Sequence, residues 1–552
     1  MKNIIKSIAV LAVFSLAFAS CIKETFPEGG TVTKEQVGAS ASALEASVNG
    51  IPSQMAQGYL VYGDQVHETD MGYPQFMIAF TEMLGDMYPL GSNSGYDWYR
   101  NYNTAVSFGE ETYFAYLPWF TLYQFVKSNN DIISTVDIED PETPAQMLQF
   151  AGQAYAARAF DYFNLMTMWE PVENVYTDIS KVKGLTVPFV TEETTGETAK
   201  NNPRASHDDM VAFILSDLDK AEKCFEAAAP TNKLFPTLPV VYALKARTYM
   251  WDAGVGGNTA GYAEAAKYAR KAIDLSGAPV TKEQWLDLNT GFNTANQAWM
   301  WYIHYSAETM GNLCNFIGWM SGEADWGYAS LTRPSIDASL YNSIADTDFR
   351  KYTFVDPAVD DYEPWKYQTI GDDEWRDAML KPYLALKFRC GGGNMMDYAT
   401  GAAVDVPVMR IEEMYLTEAE AVGMSQGVQA GIDLLNKFMQ TYRDPNYSYS
   451  GTKERGLQIE CLTQKRIEFW GEGCAFYDAK RIQPGVMQNY EGTNAPADIF
   501  KINCKGIKPN WNFCIPKTEI QANKALEGWN NPDPSNKVVG PSPVGQYSEP
   551  AN

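Results

Sequence analysis

Apolar residues along this chain recur most clearly at helical spacing, and the stretch Leu238 to Leu275 shows the pattern twice over. In its first half Val241, Leu244, Lys245, Thr248, Tyr249 and Trp251 follow a period near 3.6, with the small Ala243 and Ala246 where a second helix can approach closely. Glycines from Gly254 to Gly257 break the pattern. It resumes with Thr259 placed to cap a helix that carries Tyr262, Ala266, Ala269 and Ile273 on one stripe and Lys267, Arg270 and Lys271 outside it. The same period predicts helices over Val37 to Leu60, Thr143 to Trp169, Ser206 to Ala229, Pro407 to Met424, Gly427 to Tyr442 and Glu454 to Trp470. Ser206 and Asp209 stand at capping-box spacing at the start of the third of these. Alternation with period two appears at Trp299 to Tyr305 (WMWYIHY), a strand whose Trp299, Trp301, Ile303 and Tyr305 face one way into a core.

Paired helices joined by a short Gly-rich turn, with alanine at the crossing, resemble tetratricopeptide repeats, which need stacked neighbours to bury their faces. The expected fold is therefore mostly α: a frame of about four tetratricopeptide-like helix pairs carrying large irregular, loop-rich insertions. Residues 285–401 are rich in Gly, Trp and Asp without sustained periodicity and read as one such insertion. The expected division is a leader at 1–20, a tether at 21–36, a single domain at 37–531 and a coil-like tail at 532–552.

The leader changes the picture of where the chain works. Lys2 and Lys6 precede an apolar run from Ile8 to Ala19 that is too short to span a bilayer, and small residues lead to Cys21. Phe18-Ala-Ser-Cys21 looks like a bacterial lipobox, so Cys21 is the expected lipidation site, and several acyl chains on one residue give stable anchoring. The formal charge of -25 argues against nucleic acid and anionic lipid as partners. Seven cysteines remain, without a CxxC pair, and are expected as buried thiols, although Cys461 with Cys474 or Cys504 with Cys514 could pair. The three histidines, His67, His207 and His304, are scattered and show no metal-ligand spacing, so neither a metal nor another cofactor is expected.

Aromatic residues supply the candidate binding chemistry. About a third of the residues from Tyr88 to Tyr123 are aromatic, against 13% for the whole chain. Tyr116, Trp119, Phe120 and Tyr123 fall on one helical stripe and read as core. Tyr96, Trp98 and Tyr99 instead sit between glycines in GSNSGYDWYRN, among Asp97, Arg100 and Asn101, where no single face buries them all. Trp319, Trp326 and Tyr328 lie in a second Gly-punctuated stretch with Glu323 and Asp325. Flat rings beside hydrogen-bonding groups suit a sugar or a peptide, since pyranose faces stack through their C–H groups while polar groups fix orientation. Loop aromatics also serve as lids over a core, and the pattern alone leaves both readings open.

The order of the lipobox, Arg158 to Leu165 (RAFDYFNL), the helix pair at 238–275, Arg410 to Ala421 (RIEEMYLTEAEA), Lys465 to Gly473 (KRIEFWGEG), Tyr477 to Arg481 (YDAKR) and Trp511 to Pro516 (WNFCIP) resembles the SusD/RagB family. Two departures stand out: Cys474 where an Arg is common, and EGWNNPDP in place of a QNPGY-like ending. The resemblance implies a Bacteroidetes outer-membrane lipoprotein that faces the cell exterior and is not an enzyme. It implies that the protein binds an oligosaccharide or polysaccharide and hands it to a SusC-like TonB-dependent transporter, with the helix pairs supporting that contact and the insertions carrying the ligand. Together with the aromatic pattern it points to Trp98, Trp319 and Trp326 stacking on ligand, Tyr96 and Tyr328 at the rim, and Asp97, Asn101 and Asp325 as polar contacts. A peptide-binding RagB-like role is the alternative. A surface glycosidase is a more distant one, because adjacent acids such as Glu110 with Glu111 single out no catalytic pair among 68 acids.

Overall fold

The computed structural model describes residues 40–58, 71–90, 98–104, 106–311, 313–326, 330–331, 333–358, 374 and 379–550. Cys21, Tyr96, Asp97 and Tyr328 lie outside these residues. Eight helices form the frame: α1 (Tyr113–Ile133), α2 (Ala145–Trp169), α3 (His207–Ala227), α4 (Leu238–Trp251), α5 (Gly261–Leu275), α6 (Glu412–Ser425), α7 (Val428–Tyr442) and α8 (Glu454–Glu468). Each packs on the next in the series, which gives four helix pairs. The series continues unbroken where the sequence does not, since α5 lies directly against α6 although residues 276–411 intervene.

Close packing follows from the small residues. Gly423 on α6 faces Gly431 on α7 so tightly that a β-carbon on Gly431 would strike the Gly423 backbone and the Ala419 carbonyl. Helix α2 is buried along nearly its whole length, so its sequence reads as apolar and alanine-rich rather than as a one-sided stripe. On α1 the buried line is Ala115, Trp119, Leu122, Phe125 and Val126, and of the expected aromatic stripe only Trp119 is fully covered. Ser206 caps α3 as its spacing predicts, accepting from the Asp209 amide at 3.2 Å.

Three expectations are corrected. Residues 407–410 are not helical: Asp405–Arg410 is a strand that pairs antiparallel with Trp299–His304, placing Trp301 opposite Met409, and α6 begins only at Glu412. The buried WMWYIH strand needs backbone partners, and the alternating Val404, Val406 and Val408 supply a pleated edge that helical periodicity disguises. Thr259 caps nothing; α4 runs on into a π turn at Asp252–Gly256, and Ala260 occupies the N-cap of α5. The first expected helix is two, Ala41–Val48 and Gly50–Met55, broken at Asn49, with Leu44, Val48 and Ile51 buried.

The charged residues of the motifs are mostly internal. Glu468 on α8 accepts from Arg443 at 2.7 Å, Arg350 at 3.0 Å and Arg410 at 3.1 Å, with all four side chains essentially inaccessible to water. Arg158 on α2 donates to Asp217 on α3 at 2.7 Å, and Arg247 on α4 to Glu413 on α6 at 2.6 Å. Such pairs fix which helix meets which, because a charge left alone in the interior costs several kcal/mol, about 3–5 when one partner is removed. Residues 532–550 are coil but tied down: Ser542 accepts from the Asn503 amide at 2.8 Å, and Asn503 donates to the carbonyls of Pro543 and Gln546. All seven described cysteines are buried free thiols.

Candidate functional site

The early aromatic block and the insertion meet. Trp98 and Tyr99 lead into a short helix, Arg100–Thr104, and the Tyr99 ring stands edge-on to Trp319 at 5.3 Å and 83°. Trp319 belongs to another short helix, Phe316–Met320, whose start is capped by Asn315 accepting from Gly318. Trp326 lies against Gly318 and Gly401, and at Gly401 a β-carbon would run into its ring.

Exposure separates these rings. Trp98 is 37% exposed, whereas Trp319 and Trp326 are each 4% exposed. In this conformation the latter two are covered and present no open face for the stacking expected of them. Asn101 is half-buried and donates to the Trp98 carbonyl at 3.1 Å, which ties it to the ring's own backbone. Asp325 accepts from Arg333 at 2.9 Å, and the same guanidinium donates to the carbonyls of Gly322 and Ala324. Burial pushes Arg333 down despite the attraction of Asp325. Asp325 thus holds its loop in shape.

The Trp98 helix is held from behind by residues that periodicity does not flag. Asn103 is the hub: its Oδ1 accepts from Lys508 at 2.7 Å and from Gln488 at 2.6 Å, and its Nδ2 donates to Glu82 at 3.3 Å. Lys508 also donates to the Asn103 carbonyl, and Asn510 to that of Tyr102, both at 2.8 Å. Burial pushes the Lys508 ammonium down to about 7, against the pull of Cys504, Glu82 and Asp86. A rigid base under an exposed ring lowers the entropy cost of binding. The only sequence signal was the polar cluster KPNWN inside an otherwise apolar segment.

A cleft of about 350 Å³ opens elsewhere, between the end of α2, the start of α3 and the π turn. His207 forms part of its wall, hydrogen-bonded to Glu170 at 2.8 Å and Asp252 at 3.2 Å. Among the described residues no group of three or more His, Cys, Asp or Glu side chains is gathered as a metal would require, and no helix is long and apolar enough to cross a membrane.

The fold defines a class: a tetratricopeptide-like frame of helix pairs interrupted by a long insertion. A family model described as "Starch-binding associating with outer membrane" matches residues 60–250, and the SusD family model matches residues 335–533. SusD-like protein P38 of Formosa agariphila is 27% identical over 401 residues, covering 67% of this chain and 73% of that protein. A SusD-like carbohydrate binding protein from Bacteroides vulgatus superposes with a TM-score of 0.68 at 20% identity, over 89% of this chain and 98% of that one. Surface glycan-binding protein A from Bacteroides thetaiotaomicron, solved with laminarihexaose, gives a TM-score of 0.61 at 16% identity, over 88% and 98% of the two chains. The chain belongs to the SusD/RagB family.

Proposed function

We propose that this protein is a lipid-anchored surface receptor that binds an oligosaccharide or polysaccharide at the Trp98 platform and passes it to a SusC-like TonB-dependent transporter. The observation that carries the reading is the Trp98 ring, exposed just before a short helix that a buried polar network holds in place. Trp98 stacks on a sugar face and Asn101 contributes hydrogen bonds, while Trp319 and Trp326 keep the platform flat from below. Proteins of the same fold support the class of ligand: one is a laminarin-binding SusD-like protein, and surface glycan-binding protein A holds laminarihexaose. Cys21 carries the anchor, and the helix pairs face the transporter.

The test is affinity electrophoresis of the detergent-solubilised full chain through gels containing laminarin, starch, xylan or galactomannan. The wild type should be retarded by at least one of them without shortening it, and Trp98→Ala should weaken that binding by roughly ten- to a hundredfold, as expected for a ring contributing about 1–3 kcal/mol. Equal retardation of Trp98→Ala would remove the platform from the account, and shortened products would replace the receptor with an enzyme.

A further inference from the structure

Among the described tryptophans a second ring is as open to water as Trp98: Trp529, at 43% exposure. It lies in the EGWNNPDP segment that departs from the family's usual ending. The backbone that carries it is tied down. Arg204, itself buried, donates to the Trp529 carbonyl and to Asn531 Oδ1, both at 2.9 Å, and spends its other donors on the carbonyls of Thr186, Trp169 and Leu185. Asn531 donates to the Trp169 and Phe513 carbonyls at 2.8 Å, and Asn530 to Glu110 at 3.0 Å. On the near side Lys181 donates to the Gly528 carbonyl at 2.5 Å, with its ammonium 4.9 Å from the centre of the Trp529 ring.

An exposed ring with a fixed backbone and a hydrogen-bond donor over one face has the elements of a sugar contact: the opposite face for C–H groups and a polar atom beside it for a hydroxyl. Its place relative to Trp98 adds the second argument. From the Trp98 helix, Tyr102 packs on Phe108 at 5.7 Å, Phe108 on Phe513 at 6.4 Å, and the Phe513 carbonyl accepts from Asn531, two residues from Trp529. The two exposed tryptophans are thus joined through a continuous chain of packed rings and one hydrogen bond.

We propose that Trp529, with Lys181 beside it, is a second sugar-contact site that engages the extended part of a polysaccharide already held at Trp98. The proposal rests on the glycan reading of Trp98. Linked contacts on one chain raise affinity only when the ligand spans both, so the signature is a dependence on ligand length.

The experiment measures binding of the full chain to whichever polysaccharide of the panel retards it most, and to the hexasaccharide cut from it. Trp529→Ala should weaken polysaccharide binding by about five- to tenfold and leave the hexasaccharide affinity and the melting temperature unchanged, whereas Trp98→Ala weakens both ligands. Trp529→Tyr, which keeps a ring, should recover most of the loss. Unaltered polysaccharide binding by Trp529→Ala, with Trp98→Ala impaired, overturns the second site while leaving the platform in place. A lower melting temperature with equal loss on both ligands overturns it too, by showing a structural role. Failure of the wild type to bind any of the polysaccharides overturns both the platform and this site.

Discussion

Trp98, Trp319 and Trp326 are chemically equal, and the difference between them is how much of each ring the fold leaves to water. Composition and spacing show that rings in Gly-punctuated stretches cannot share one helix or strand face, which draws attention to two segments, and Tyr99 of the first meets Trp319 of the second. They do not show which ring the neighbouring segment will cover, because that depends on contacts such as Tyr99 against Trp319 and Trp326 over Gly401, whose partners lie far apart in sequence. The consequence is a division of effects. Trp319→Ala should lower the melting temperature, since emptying a buried Trp site costs about 3–5 kcal/mol, while Trp98→Ala should not. Thermal melts followed by far-ultraviolet circular dichroism check this, and a Trp319→Ala variant with native stability but no glycan affinity would mean that its ring faces the ligand.

Among the elements, long periodic helices were legible to within a few residues: α2, α3, α5, α7 and α8 begin and end close to where their apolar stripes do. The errors fell where tertiary partners outweigh local pattern, as at Asp405–Arg410, drawn into a strand by the WMWYIH edge, and at the π turn after Trp251. Arg410 and Glu468, which lie in the family motifs, form a buried ion-pair cluster with Arg443 between elements of the frame. His207 shows what such joints contribute. Burial alone would push it down, but hydrogen bonds to Asp252 and Glu170 outweigh burial and raise it to about 10, so it is protonated in the folded chain. A group raised above its unfolded value of about 6.5 contributes stability that is fully present below that value and is lost as pH rises through about 10. His207→Gln should therefore melt lower than the wild type at pH 6 to 8, by on the order of 2 kcal/mol of stability, with the gap closing above about pH 10. Parallel melting curves at every pH would show that the imidazolium is not the joint between α2, α3 and the π turn.

For the whole molecule, the frame explains how a chain of 552 residues with a long insertion stays in register: α5 and α6 meet as though consecutive, and Arg270 on α5 pairs with Glu418 on α6. The insertion is then free to carry rings to the platform, and the tail is stitched across Asn503. Cys21→Ala should move the protein from the outer-membrane fraction to the soluble one, and retention on membranes after a high-salt wash would contradict lipidation. The account stands most directly on where a bound sugar lies. A crystal structure of the full chain lacking only its leader, soaked with the hexasaccharide it binds best, should show a pyranose ring stacked on Trp98 with Asn101 within hydrogen-bond reach. Density for the sugar in the His207 cleft, with Trp98 bare, would contradict it.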